Sequence, residues 1–224
     1  MFTEQEKTEF KPYMKKKFDK ELSIDNAMIA AYLDMCRGPL NGINECIEKH
    51  NPDYTSTKVR DKFIKEIFIS RVNDLVNNEE DYDDWHKKTS DEIINFYKNY
   101  GYYDMTYGKA QKWINMSIKY IMLYTISYQE TLLKYRDKFH VPIDRYIAPS
   151  IAELIGFLPS DDGNRKLNNL DKSFDADKMN YCWSNINDYD DYLHCQKAIR
   201  NSLNIPPLNW EFIEWKKEKE NRKN

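Results

Sequence analysis

Between Tyr107 and Tyr124 the chain reads YGKAQKWINMSIKYIMLY. Ala110, Trp113, Ile114, Ser117, Ile118 and Ile121 recur at helical spacing, so this run predicts a long helix with an apolar face to bury. Other elements must be built to cover it. With 6 glycines and 8 prolines in 224 residues, turn-rich β architecture is disfavoured. The expected fold class is all-α, and the length suits one domain or two small lobes around a shared core. Lys112 departs from the pattern. It falls in the expected first turn, beside Trp113, where a cation opposes the helix dipole at a cost of roughly 0.3–1 kcal/mol. A residue that breaks a local rule is a candidate for function.

Helical periods dominate the rest of the chain. A charged segment, Lys11–Lys20, reads as a first helix that extends to Leu22 at most. Ser23-x-x-Asn26 leads into IDNAMIAAYLDMC, which Gly38-Pro39 ends. Ser56–Val76 carries Val59, Phe63, Ile67, Phe68 and Val72 on one face. Asn77–Asp84 (NNEEDYDD) reads as a solvated loop plus a helix N-terminus, and it lacks the turn glycine of an EF-hand loop. Ser90-Asp91-Glu92 opens a helix over Asp91–Tyr100, and Gly101 stops it. Ser127-x-x-Glu130 is a capping box for a helix to about Lys138. Pro149-Ser150-x-x-Glu153 starts a short helix, SIAELIGFL. Ser160–Ala176 is polar and reads as a loop. Asp188 is placed to cap a helix bearing Tyr189, Tyr192, Leu193, Ile199 and Leu203. The closing residues 216–224 are charged and expected to fray.

Composition narrows the function classes. Charged residues make up 32% of the chain, the net charge is −3 and the mean hydropathy is −0.85. No apolar run approaches the roughly 20 residues that span a bilayer, and no apolar segment at the N-terminus reads as a secretory signal. Cys36, Cys46, Cys182 and Cys195 are widely spaced with no zinc or iron–sulfur pattern, which reads as reduced cytosolic thiols. No metal or cofactor is expected. An acidic chain argues against a non-specific nucleic-acid coat, although a global sum hides local patches. One such patch is Lys109–Arg145, which holds more Lys and Arg than Asp and Glu.

Lysine catalysis requires a neutral amine, and only about one lysine in 10³ is neutral at pH 7 with an unperturbed pKa. Burial and the positive end of a helix both favour the neutral form. Asp144, in HVPIDRYI, follows Pro142 and can cap a short helix. A helix over Lys109–Tyr124 is roughly 24 Å long, and a returning helix of about a dozen residues covers roughly 17 Å. The link Phe139–Ile143 then brings Asp144 back to the level of Lys112. Each residue also has a plainer role: Lys112 as a snorkelling helix-end lysine, Asp144 as an N-cap, His140 as a surface or capping histidine, Arg145 as a solvated charge. Trp113, Tyr107, Tyr146, Trp183, Trp210 and the WEFIEW run read first as packing aromatics.

Gln111-Lys112 opening an apolar helix that holds a second lysine, Lys119, followed at long separation by Pro142-Ile143-Asp144, resembles the helix-hairpin-helix DNA glycosylase/lyase superfamily. The archaeal-type 8-oxoguanine glycosylases are nearest in pattern. The likeness covers roughly Asp91–Glu153. It implies a two-lobed helical fold forming a single unit over residues 1–224, with the site between the lobes. It further implies that Lys112 attacks the sugar C1′ while Asp144 stabilises the developing charge and assists proton transfer. The substrate would be duplex DNA with a damaged or modified base flipped out of the stack, and no cofactor would be needed. The family hairpin L-P-G-x-G-x-K corresponds here to Thr106-Tyr107-Gly108-Lys109-Ala110-Gln111-Lys112, with Ala110 in place of the second glycine. Gly108, Lys109, Ala110 and Gln111, with His140 and Arg145, are therefore the residues expected on nucleic acid. An intracellular, nucleoid-associated location follows from that reading. The alternative is a non-catalytic helical nucleic-acid-binding or interaction protein, of a mobile element or defence system.

Overall fold

A computed structural model describes residues 23–36, 38–158, 166–167 and 183–221, together with 3, 5, 7 and 8. Helix α1 spans Ile24–Met35 and α2 spans Ile43–His50. Helix α3, Ser56–Phe63, passes through a π-helical turn at Ile64–Phe68 into α4, Ile69–Asn77. Next come α5 (Tyr82–Asn99), α6 (Tyr107–Tyr124) and α7 (Ile126–Leu132), the last prolonged by a 3₁₀ turn at Leu133–Tyr135. Helix α8 covers Ala148–Ile155. A 3₁₀ turn at Trp183–Asn185 precedes α9 (Tyr189–Ser202) and α10 (Pro207–Asn221). Phe157–Leu158 and Lys166–Leu167 form a two-residue antiparallel ladder. The fold is all-α apart from that ladder among the described residues. No helix among them is long and apolar enough to cross a membrane.

Capping side chains set several of the helix starts. Thr106 Oγ1 accepts from Lys109 N at the start of α6. Asp188 accepts from the amides of Asp190 and Asp191 at the start of α9, as its spacing predicts. Asp81 does the same for Asp83 and Asp84. That cap explains a difference from the sequence expectation: the helix anticipated at Asp91 already begins at Tyr82, inside the acidic run. Ser90 does not open a helix; its hydroxyl donates to the His86 carbonyl one turn back.

Other boundaries shift as well. Ser127-x-x-Glu130 forms no capping box, because α7 starts at Ile126 with no side-chain cap. The returning helix loses regularity at Leu133 instead of running to Lys138. Gly156, with φ 74°, closes α8 before Phe157–Leu158, which enter the ladder and not the helix. Residues 216–221 belong to α10. Helix α2 has no counterpart among the expected elements. Lys11–Lys20, most of Ser160–Ala176, Cys182 and residues 222–224 lie outside the described residues.

Helix α6 is the strut on which the others pack. All its residues from Gly108 to Leu123 are buried. On one side it closes an apolar cluster from α1, the α3–α4 helix and α5, with Trp113 at its centre. The Trp113 ring lies 5.0 Å from Tyr32, 5.3 Å from Phe63 and 5.4 Å from Phe68, mostly edge to face. Its indole N–H donates to the Met28 carbonyl at 2.9 Å. A second cluster joins Val141, Ile143, Ile147, Ile151 and Ala152 to Ile186, Tyr189, Tyr192, Cys195 and Ile199. Trp113→Ala removes one of the two fully buried tryptophans of the first cluster and the indole N–H bond to the Met28 carbonyl. It should lower unfolding stability by about 3–5 kcal/mol, read from urea denaturation with an unchanged m-value.

Candidate functional site

Lys112 and Asp144 meet. The Lys112 ammonium donates to Asp144 Oδ2, and the two side chains are only 7% and 13% exposed. Lys112 projects from the second turn of α6, because Thr106 starts that helix earlier than the sequence suggests. The dipole penalty is correspondingly weaker, since it fades beyond the first turn. Asp144 sits where the chain turns into α8. Its Oδ1 accepts from the amides of Tyr146 at 2.8 Å and Ile147 at 3.1 Å, and its carbonyl accepts from Ala148 N. One carboxylate therefore caps the turn and holds the lysine. In sequence Lys112 adjoins Trp113 of the first cluster, and Asp144 adjoins Ile143 of the second and accepts from the Ile147 amide.

A second pair lies along the same helix. Lys119 donates to Glu211 Oε2 of α10, with side chains 2% and 3% exposed, and its ammonium stands 5.7 Å from the Trp215 ring centroid. Lys112 and Lys119 are seven residues apart, two helical turns on one face. Burial raises both carboxylates, but their net directions differ. For Asp144 the Lys112 charge and the two backbone amides outweigh burial, so its pKa falls below the ordinary value. For Glu211 burial outweighs Lys119, and the nearby Asp144 charge adds to it, so its pKa rises. The charged form of Asp144 is thus favoured, while burial makes ionisation of Glu211 harder than in water. Glu211 escapes sequence reasoning because WEFIEW reads as packing. The available signal was an acid among aromatics opposite two lysines in an apolar helix.

The residues expected on nucleic acid are mostly interior. Gly108 lies against the Trp183–Asn185 turn: its N–H donates to the Ile186 carbonyl at 2.9 Å, and a Cβ there would stand 1.9 Å from the Trp183 carbonyl oxygen. The glycine is needed for close packing of the chain on itself and not for approach of a phosphate. Lys109 is buried, with its ammonium on Tyr102 Oη and the Asp104 carbonyl. Ala110 and Gln111 are fully buried, and Gln111 is bonded to Ile143. His140 is neither a surface nor a capping residue. Of the six, only Arg145 is exposed, its guanidinium 4.9 Å from the Tyr146 ring centroid. At the hairpin, Gly108, Lys109 and Gln111 are thus engaged by groups inside the protein.

His140 belongs to a polar network absent from the sequence reading. Its Nε2 lies 2.8 Å from Asp83 Oδ1, and Arg200 grips both oxygens of Asp83 at 2.7 Å. His140 Nδ1 is 3.0 Å from Tyr192 Oη, which accepts from Asn115 Nδ2. His86 Nε2 reaches Asn115 Oδ1 at 3.0 Å, and the two imidazole centroids are 4.4 Å apart. These bonds assign a consistent direction, with each imidazole neutral and protonated on Nε2. Burial is the main cause that lowers both histidines, His140 to about 4 and His86 well below its ordinary value. No group of three or more His, Cys, Asp or Glu side chains among the described residues is placed to hold a metal ion. Cys36, Cys46 and Cys195 carry free thiols.

Both histidines titrate lower in the folded chain than in the unfolded one, whose value is about 6.5. The unfolded state then takes up protons first as pH falls, so folding stability declines below about pH 6.5. His140 alone should remove about 2 kcal/mol between pH 7 and pH 5, read from urea unfolding at the two values. No family model matches the chain, and no curated protein or solved structure matches it.

Proposed function

We propose that the protein excises a damaged or modified DNA base through a lysine Schiff base, as a glycosylase with AP lyase activity. The observation that carries this reading is the contact between the Lys112 ammonium and the Asp144 carboxylate, brought together across 32 residues and largely shielded from water. The two apolar clusters then correspond to the two lobes of a helix-hairpin-helix glycosylase, with the pair between them. Asp144 is the base nearest the amine. Proton transfer within the pair is uphill at rest, because the Lys112 charge and two backbone amides stabilise the ionised carboxylate, and it frees the amine when the nucleotide is bound. The freed amine attacks C1′ of a flipped nucleotide while the glycosidic bond breaks, and the departing base takes the proton from Asp144. The nitrogen then gives a proton to the ring oxygen as the C1′–O4′ bond opens, leaving a protonated Schiff base. Loss of a C2′ proton to water then expels the 3′ phosphate. The Asp144 carboxylate, reionised, faces the positive charge on the intermediate.

A second reading is a helical nucleic-acid-binding or interaction protein in which both pairs are structural. It is favoured by the equal burial of Lys119–Glu211 and by the interior placement of Gly108, Lys109, Gln111 and His140. Borohydride trapping on duplexes carrying a panel of oxidised or alkylated bases separates the two. The excision reading expects a covalent adduct that peptide mass spectrometry maps to Lys112. Lys112→Gln has no nucleophilic amine and should abolish the adduct; removing the cation beside the buried Asp144 carboxylate should also lower the melting temperature, with far-UV circular dichroism checking that the variant still folds. Asp144→Asn should slow trapping by about 10²-fold or more. Salt-dependent DNA binding with no adduct on any lesion would favour the second reading.

A further inference from the structure

The stretch that delivers Asp144 is paired by side chains. Val141 N donates to Gln196 Oε1 at 2.8 Å, and Gln196 Nε2 donates to the Val141 carbonyl at 2.8 Å. Two residues on, Ile143 N donates to Gln111 Oε1 at 3.3 Å, and Gln111 Nε2 donates to the Ile143 carbonyl at 3.0 Å. Each carboxamide satisfies both main-chain groups of one residue, as a residue of a neighbouring strand would. Pro142 between them has no N–H and leaves no donor over. Asn115 Nδ2 lies 3.0 Å from Gln111 Oε1 and 3.3 Å from the Val141 carbonyl, and its two hydrogens are shared among these and Tyr192 Oη.

Both glutamines are fully buried. A buried carboxamide is costly unless its two ends are paired, and a methionine would fill similar space without that demand. What glutamine adds is register. A slip of one residue along an extended segment turns its side chains to the opposite face and would carry Asp144 away from the amine. Gln111 also precedes Lys112 on α6, so one turn of helix fixes Ile143 and presents the ammonium. Gln196 supplies the same hold from α9.

We infer that Gln111 and Gln196 are positioning residues: their carboxamides set the register of Val141–Ile143 so that the Asp144 carboxylate lands on Lys112. The inference rests on the excision reading only in giving the pair a reaction to serve. Reductive methylation of the native full-length chain, followed by peptide mass spectrometry, tests it. Lys119 is the internal reference, since it lies on the same helix and is held by Glu211 instead. In Gln196→Met and in Gln111→Met the methylation rate of Lys112 should rise about tenfold relative to Lys119, the effect of losing about two hydrogen bonds. An unchanged ratio, or Lys119 rising in step, would overturn the inference. Should either variant fail to fold, amide exchange in the wild type decides. The clamp requires the Val141 and Ile143 amides to be as protected as those in mid-α6, and exchange at unprotected rates refutes it. Neither measurement involves DNA, so its failure is separate from that of the trapping assay.

Discussion

A helix buried on every side tolerates charge only where a partner meets it, and α6 carries three lysines, a glutamine and an asparagine inside the protein. An unpaired ion in such a place costs several kcal/mol even after relaxation. The rest of the chain is arranged around that demand. Tyr102 and Asp104, just before the helix, meet Lys109. The turn into α8 brings Asp144 to Lys112, and α10 brings Glu211 to Lys119. Ile143 engages Gln111, while His86 and Tyr192 engage Asn115. These partners come from separate elements, so each bond also fixes where an element docks. A misplaced α10 would strand both Lys119 and Glu211. Apolar burial drives collapse, but it is indifferent to such detail; the polar contents of α6 are not.

The two lysine–carboxylate pairs show how local backbone decides chemistry. Each is a lysine of α6 against an acid, and each is nearly dry. Asp144 also receives two amides at a chain turn, and this keeps it ionised despite burial. Glu211 lies in the first part of α10, where Lys119 is its partner, and burial wins. Similar side-chain contacts therefore shift the two carboxyl groups in opposite directions. Under the excision reading, a carboxylate that accepts and returns a proton beside a nucleophile would suit the first environment better. There the charged form is stable at rest, and the neutral form is reached by a short transfer to the same partner.

How much of this was legible in the sequence depended on distance along the chain. The central helix, the cap at Asp188 and the turn at Pro142–Asp144 follow from period and from residues a few positions apart. The meeting of Lys112 and Asp144 needed only rise per residue and a reversal of direction. The start of α5 was misplaced because Asp81, within an acidic run that reads as loop, is the true cap. Helix α2 is two turns long and its period is correspondingly faint. The Gln196–Val141 and Glu211–Lys119 contacts join residues 55 and 92 apart, which no local pattern specifies. The role of Gly108 was least accessible. Its lack of a side chain was visible, but the backbone that comes within 1.9 Å of the absent Cβ belongs to Trp183.

That packing bears on how a substrate would reach the pair. In the helix-hairpin-helix comparison a phosphate approaches through the glycine of the hairpin. Here the Gly108 amide is already bonded to Ile186, and Lys109 is turned inward. Asp144 is the more exposed end of the pair, and exposed Arg145 follows it in the chain. Under the excision reading, an anionic backbone would therefore meet Arg145 first, and the sugar would come to the amine past the Asp144 turn. Electrostatics favour that side as well. Under the same reading, a cation at the rim would attract the phosphate, and the carboxylate behind it would face the positive charge developing on the sugar.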